Sequence, residues 1–146
     1  MKSTKLILMA FAAMLMQASA CSADDRMIPA EQLPAAAQSF IKKNFPKESI
    51  AFAEKDGYVC PTFEAHLSNG TEINFDRNGN WEKVDCTMAP VPANLVPVNI
   101  ANYVKTNFAG AQIVKIDKER YGFDIELSND LELKFNKKGM LIAMDD

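Results

Sequence analysis

The chain has one histidine, His66, and three cysteines, Cys21, Cys60 and Cys86, so any nucleophilic or metal chemistry must draw on a short supply. His66 falls on the polar side of an alternating run, Phe63 to Ser68, which reads as a strand. Cys60 lies six residues earlier, roughly 20 Å away in extended geometry, so the two do not form a thiol–imidazole pair. A serine-hydrolase constellation would need the same histidine. A zinc site built from histidine and cysteine wants three or four ligands in close array, whereas His66, Cys60 and Cys86 are scattered over one half of the chain. Asp76-Arg77-Asn78-Gly79-Asn80 is similar to the start of a calcium loop, but its glycine comes three residues after the aspartate rather than five, and it reads as a turn. The carboxylate pairs Glu64 with Glu72 and Glu126 with Glu132 read as solvated charges with no apolar pocket to raise a pKa. The expectation is therefore no catalysis, no metal and no cofactor.

The elements that would position these residues are spelled out twice. Tyr103-Val104-Lys105-Thr106-Asn107-Phe108 restates Phe40-Ile41-Lys42-Lys43-Asn44-Phe45 after 63 positions, and Ser128 to Phe135 restates Ser68 to Phe75 after 60. Leu33, Ala37, Phe40, Ile41 and Phe45 share one face of a helix, as do Val96, Ile100, Tyr103, Val104 and Phe108. Pro34 and Pro97 stand in the first turn, where a missing N–H costs nothing. Pro29 and Pro92 begin a short preceding turn of helix. Strands are predicted over residues 49–55, 63–68, 71–75 and 81–86, and again over 112–118, 123–128, 131–135 and 141–146. Asn69-Gly70 and Asn129-Asp130 mark hairpins, and Asn78-Gly79 and Lys138-Gly139 mark the next turns.

These patterns predict an α+β fold: a tandem repeat of two units, each a helix packed on a four-stranded antiparallel sheet. The units span residues 24–88 and 89–146, joined by the proline-rich segment Thr87 to Pro92. In such a meander Cys60 and Cys86 lie at opposite ends of the sheet, too far apart for a disulfide.

The N-terminus reads as a secretory signal over residues 1–23. Lys2 and Lys5 precede an apolar run from Leu6 to Met16, and Ala18-Ser19-Ala20 fits a cleavage site. The run is too short to span a bilayer. Cleavage before Cys21 is the alternative, which would make Cys21 a candidate lipidation site and the protein an outer-membrane lipoprotein; otherwise it is periplasmic or secreted. Without the signal, 14 basic and 19 acidic residues remain, a formal charge of −5. That balance does not suit nucleic acid, whose phosphates need a basic patch.

Two stretches of Ile/Val-Pro-Ala, helices ending in Asn-Phe, and the segments Asp24-Asp25-Arg26-Met27-Ile28-Pro29, Leu33-Pro34-Ala35-Ala36-Ala37, Asn78-Gly79-Asn80-Trp81 and Ile113-Val114-Lys115-Ile116-Asp117 resemble the PepSY-like family of β-lactamase-inhibitor-like exported bacterial proteins. The resemblance covers residues 24–146. It implies a tandem arrangement like that of β-lactamase inhibitory protein, with a concave sheet surface turned to a partner. It carries over no catalytic or inhibitory residue.

The expected binding face carries Glu64, His66, Glu72 and Asn74 from the first half, and Asp124, Glu126, Glu132 and Lys134 from the second. Trp81, which shares strand parity with Lys83 and Asp85, and Tyr58, in a three-residue insertion of the first half, are candidate anchors, with packing at the edge of the core an equal alternative for Trp81. The expected function is a noncatalytic exported binding protein whose partner is another exported protein, such as a hydrolase or peptidase that it inhibits or escorts. The alternative is a binder of a small ligand or envelope polymer in the cleft between the units.

Overall fold

Proline sets both helix starts. In the computed structural model, which describes residues 25–146, helix α1 (Ala35–Asn44) follows Pro34 and helix α2 (Val98–Asn107) follows Pro97, both prolines in extended backbone. A 3₁₀ turn precedes each, over Ala30–Gln32 and Ala93–Leu95. The helix ends match too. Phe45 and Phe108 leave the helical conformation, yet their amides still donate to the carbonyls of Ile41 and Val104, both at 2.8 Å. Asn44 and Asn107 donate to the carbonyls of Phe40 and Tyr103, both at 2.9 Å, so each side chain folds back along the last turn of its helix. The expected signal, its cleavage point and Cys21 lie outside the described residues.

The strands are β1 (Arg26–Ile28), β2 (Ile50–Asp56), β3 (Thr62–Leu67), β4 (Glu72–Phe75), β5 (Trp81–Asp85), β6 (Ile113–Lys118), β7 (Gly122–Leu127), β8 (Glu132–Asn136) and β9 (Leu141–Asp145). They form a single nine-stranded antiparallel sheet in sequence order. This corrects the expected architecture of two helix-on-four-strand units. The join is made by β5 and β6, where Lys83, Val84 and Asp85 pair with Asp117, Ile116 and Lys115. The linker continues along the same edge, with the amides of Cys86 and Val91 donating to the carbonyls of Val114 and Ile113, each at 2.8 Å. Alternation tells which residues of a strand share a face, but not which strand will pair across a long connection, so the sequence pattern was silent on this contact. The extra strand β1 is three residues long, carries no usable alternation, and pairs with β2.

Both helices lie on one face of this sheet. Ala53 and Ala65, paired across β2 and β3 and fully buried, give α1 room to approach. Phe40 of α1 meets Phe75 edge-on at 5.7 Å, and Tyr103 of α2 meets Phe135 the same way at 5.4 Å. Register carries that buried face across the join, from Ile73 to Val84, Ile116, Ile125 and Leu133, each with no exposed surface. The hydrophobic contribution is therefore concentrated on one side.

Candidate functional site

Since every second residue of a strand faces the core, the intervening ones line the opposite face, which no helix covers. In the first half these include Phe52 and Glu54 of β2, Glu64 and His66 of β3, and Glu72 and Asn74 of β4. Cross-strand pairing sets Glu54 beside Glu64, Glu64 beside Asn74, Phe52 beside His66 and His66 beside Glu72. The His66 imidazole stacks on the Phe52 ring, centroids 4.1 Å apart. Its Nε2 lies 2.9 Å from Glu64 Oε1 and 3.9 Å from Glu54 Oε2, and its Nδ1 lies 3.6 Å from Glu72 Oε1. The side chain is 18% exposed, while Nε2 itself is buried and has no aligned hydrogen bond. Asn74 Nδ2 donates to Glu64 Oε2 at 2.8 Å. One ligand atom from each of Glu54, Glu64 and His66 fits within 4.8 Å of the others, a spacing that could hold a metal ion.

The second half places Asp117, Asp124, Glu126, Glu132 and Lys134 on the same face, with Lys134 and Lys115 set among the carboxylates. Lys134 Nζ stands 3.4 Å from Glu132 Oε1 and 3.9 Å from Asp124 Oδ2, and Lys115 Nζ stands 3.4 Å from Glu126 Oε2. Partial burial and then the neighbouring Glu119 push the Asp117 carboxyl upward, against the pull of Lys83 and Lys115. The Tyr121 hydroxyl donates to Asp124 Oδ1, and that bond holds its proton well above the usual phenol range.

The eight polar residues expected on a binding face thus share one surface. The two aromatic candidates do not join it. A register shift in the β4–β5 pairing sets Trp81 opposite Phe75 rather than in step with Lys83, which turns it to the helix side. There it is half-buried against Phe40 and covered by Lys118, whose Nζ sits 3.5 Å from its ring centroid. Tyr58 lies in the connection between β2 and β3, exposed, with the Arg26 guanidinium 5.0 Å from its ring centre. Cys60 is exposed and Cys86 buried, and both are free thiols. Asp76 forms a turn: its Oδ1 accepts from the amides of Asn78 and Asn80 at 2.8 and 2.9 Å.

Sequence reasoning missed Glu54 and Phe52. Both belong to β2, whose irregular register against β3 brings them over His66, and only strand pairing could have shown it. On the helix side, a groove of about 480 Å³ runs between α2 and residues 90–96, lined by Val91, Val104, Phe108 and Ile113 among others. Where the halves meet, a smaller hollow of about 290 Å³ is lined by Phe45, Asn69, Thr71, Cys86 and Pro90.

A single antiparallel sheet, helices on one side and charge on the other, defines a one-sided α+β class. The chain belongs to the PepSY-like family: the family model described as "putative beta-lactamase-inhibitor-like, PepSY-like" matches residues 21–59 and 61–143. It is also similar to three crystal structures. One, from Bacteroides thetaiotaomicron and described as a putative calcium-regulated periplasmic protein, is 38% identical, with 84% of this chain and 98% of that one covered and a TM-score of 0.79. The others, from Bacteroides vulgatus, are each described as a "putative periplasmic protein", both with TM-scores of 0.79. The first, of the DUF2874 family, is 34% identical over 86% of this chain and 99% of its own; the second, of unknown function, is 30% identical over 84% and 99%. No match is found among the curated proteins. Among the described residues no helix is long and apolar enough to cross a membrane.

Proposed function

We propose that this chain is a noncatalytic binding protein of the periplasm, which meets a protein partner through the uncovered sheet face. One observation carries the reading: both helices pack on one side of the sheet, leaving the other side as a broad surface rich in carboxylates. A surface of that charge favours a partner presenting basic side chains, steering the encounter and rejecting acidic competitors. The inhibitor-like description of the family and the periplasmic relatives support this reading. Its finer form is an inhibitor or escort of an exported hydrolase or peptidase.

The test is site-specific photo-crosslinking in the cell envelope of the producing bacterium. A photoreactive residue at Glu132, on the uncovered face, should give a discrete protein adduct that weakens at high salt. One at Lys42, exposed on α1, should give none. Adducts from Lys42 alone, or none from either position, would remove the support for this face.

A further inference from the structure

We infer that Glu54, Glu64 and His66 form a binding site for one divalent ion of the zinc class. The inference stands apart from the partner reading, since it concerns an ion and three side chains.

Geometry comes first. Two ligands about 2.0–2.1 Å from a tetrahedral zinc ion stand about 3.3 Å apart. The distances from His66 Nε2 to the two carboxylates, 2.9 and 3.9 Å, bracket that value, so small side-chain rotations suffice. Three protein ligands on neighbouring strands leave a fourth position open to water, or to an atom from a bound molecule.

Support for the ligands is already built. Zinc-bound histidines commonly turn their other ring nitrogen to a carboxylate, and Glu72 stands 3.6 Å from Nδ1. A proton on Nδ1 leaves the Nε2 lone pair for a metal. Asn74 occupies Oε2 of Glu64, while Oε1 faces the imidazole. Phe52 stacks against the ring and restricts its rotation. Nε2 is buried, and its 2.9 Å approach to Glu64 Oε1 is not aligned as a hydrogen bond, so an ion between the two would displace none.

Charge gives the independent argument. The two halves place carboxylates alike, but the second supplies its own cations: Lys134 stands where the first half has Asn74, and Lys115 where it has Phe52. Those lysines come within 3.4 Å of Glu132 and Glu126. Among the described residues no lysine or arginine nitrogen comes within 4.0 Å of Glu54, Glu64 or Glu72. The first half therefore gathers three carboxylates around one imidazole, and a divalent ion would supply the missing charge. The nitrogen ligand favours zinc over calcium or magnesium, which take oxygen.

The experiment titrates untagged, chelator-stripped protein with zinc chloride alone. It follows heat by calorimetry and the single imidazole by ¹H–¹⁵N NMR, since His66 is the one histidine. One zinc per chain should bind and shift the Nε2 resonance as a metal ligand. His66→Ala should abolish binding, and Glu72→Gln should weaken it by about 10–100-fold, as loss of a supporting carboxylate does. Asn74→Lys installs the lysine of the second half and should abolish zinc binding while the protein keeps its circular dichroism and melting profile. Asp124→Asn should leave zinc affinity unchanged. Retention of wild-type affinity in His66→Ala or in folded Asn74→Lys would overturn the site. So would calcium binding more tightly than zinc, or no shift of the His66 resonance in millimolar zinc.

Discussion

Asn74 and Lys134 each stand opposite a carboxylate across a strand pair, Asn74 opposite Glu64 and Lys134 opposite Asp124. Asn74 gives one hydrogen bond, at 2.8 Å, and leaves the local charge unchanged. Lys134 brings an ammonium group within 4.0 Å of Asp124, Glu132 and Asp145. The second half of this surface therefore sets lysines among its carboxylates, whereas the cluster around His66 in the first half has none within 4.0 Å among the described residues.

The lysine should matter most where carboxylates repel without it. The hydrogen bond to Glu132, and then the charges of Glu132 and Asp124, raise the Lys134 pKa above 10.5. A lysine raised on folding contributes stability that is fully present below its unfolded pKa and is lost as pH rises through the folded value. Lys134→Met should therefore lower the melting temperature at neutral pH in low salt. The difference should shrink in high salt, where exposed charges are screened, and should fall away in alkali as pH climbs past 10.5 and through the raised folded value. Thermal melts of the two proteins across salt and pH check this.

Trp81 should act as packing, not as an anchor. It is half-buried between Phe40 and Lys118, away from the uncovered face. Trp81→Ala should cost about 2–3 kcal/mol, less than a fully buried aromatic, by chemical denaturation, and Trp81→Phe should recover part of that. Crosslinking from Glu132 should persist in the folded Trp81→Ala protein. Lost crosslinking at undiminished stability would instead make Trp81 a contact residue.

The turn after β4 should tolerate loss of charge but not of its acceptor. Asp76 accepts from two backbone amides and from Asn80 Nδ2. Slight burial raises its pKa, but these bonds outweigh it and hold the carboxyl below its ordinary 3.8. In the second half Asn136 Oδ1 accepts from the amides of Lys138 and Met140 at 2.9 and 3.0 Å, without a charge. Asp76→Asn should therefore be nearly neutral at pH 7, and Asp76→Ala should cost about 1–2 kcal/mol. Because the folded pKa is depressed, the stability contributed by the carboxylate is present above about pH 4 and falls away as pH drops through the folded value. Acid titrations of wild type and Asp76→Asn should diverge only in that range.

Local order in this protein was legible because single residues enforce it. Pro34 and Pro97 start the helices, and alternation such as Phe63, Ala65, Leu67 against Glu64, His66, Ser68 marks buried and wet faces. What alternation cannot show is where its phase slips. One irregular pairing, between Asn74 and Phe75 on one strand and Lys83 and Trp81 on the other, moves Trp81 from the polar face to the helix side. A second, in β2, sets Phe52 over His66. The joining of the halves into one sheet rests on β5 and β6, separated by a helix and two loops, and neither strand carries a residue type that names its neighbour. The acidic surface could therefore be read residue by residue, but the cluster around His66 required the pairing.

Two turn glycines with the same backbone conformation should respond very differently to a methyl group. Gly70 has φ +85 and Gly79 has φ +84, a region that an alanine enters at a cost of about 1 kcal/mol. A Cβ at Gly70 would meet nothing within 4 Å, whereas one at Gly79 would lie 2.8 Å from both the Ala37 amide nitrogen and Pro34 Cβ. The first turn of α1 thus rests directly on the turn between β4 and β5, and the missing side chain allows that approach. Gly70→Ala should lose about 1 kcal/mol. Gly79→Ala carries the same backbone cost plus overpacking of about 1–3 kcal/mol, because the contact is with a helix start that cannot swing aside as a flexible side chain would. Denaturation midpoints of the two variants, with amide exchange followed in α1, distinguish the terms. Equal losses would mean that α1 yields freely at this contact, and that the helix is held by its buried Ala37 and Ile41 rather than by the turn beneath it.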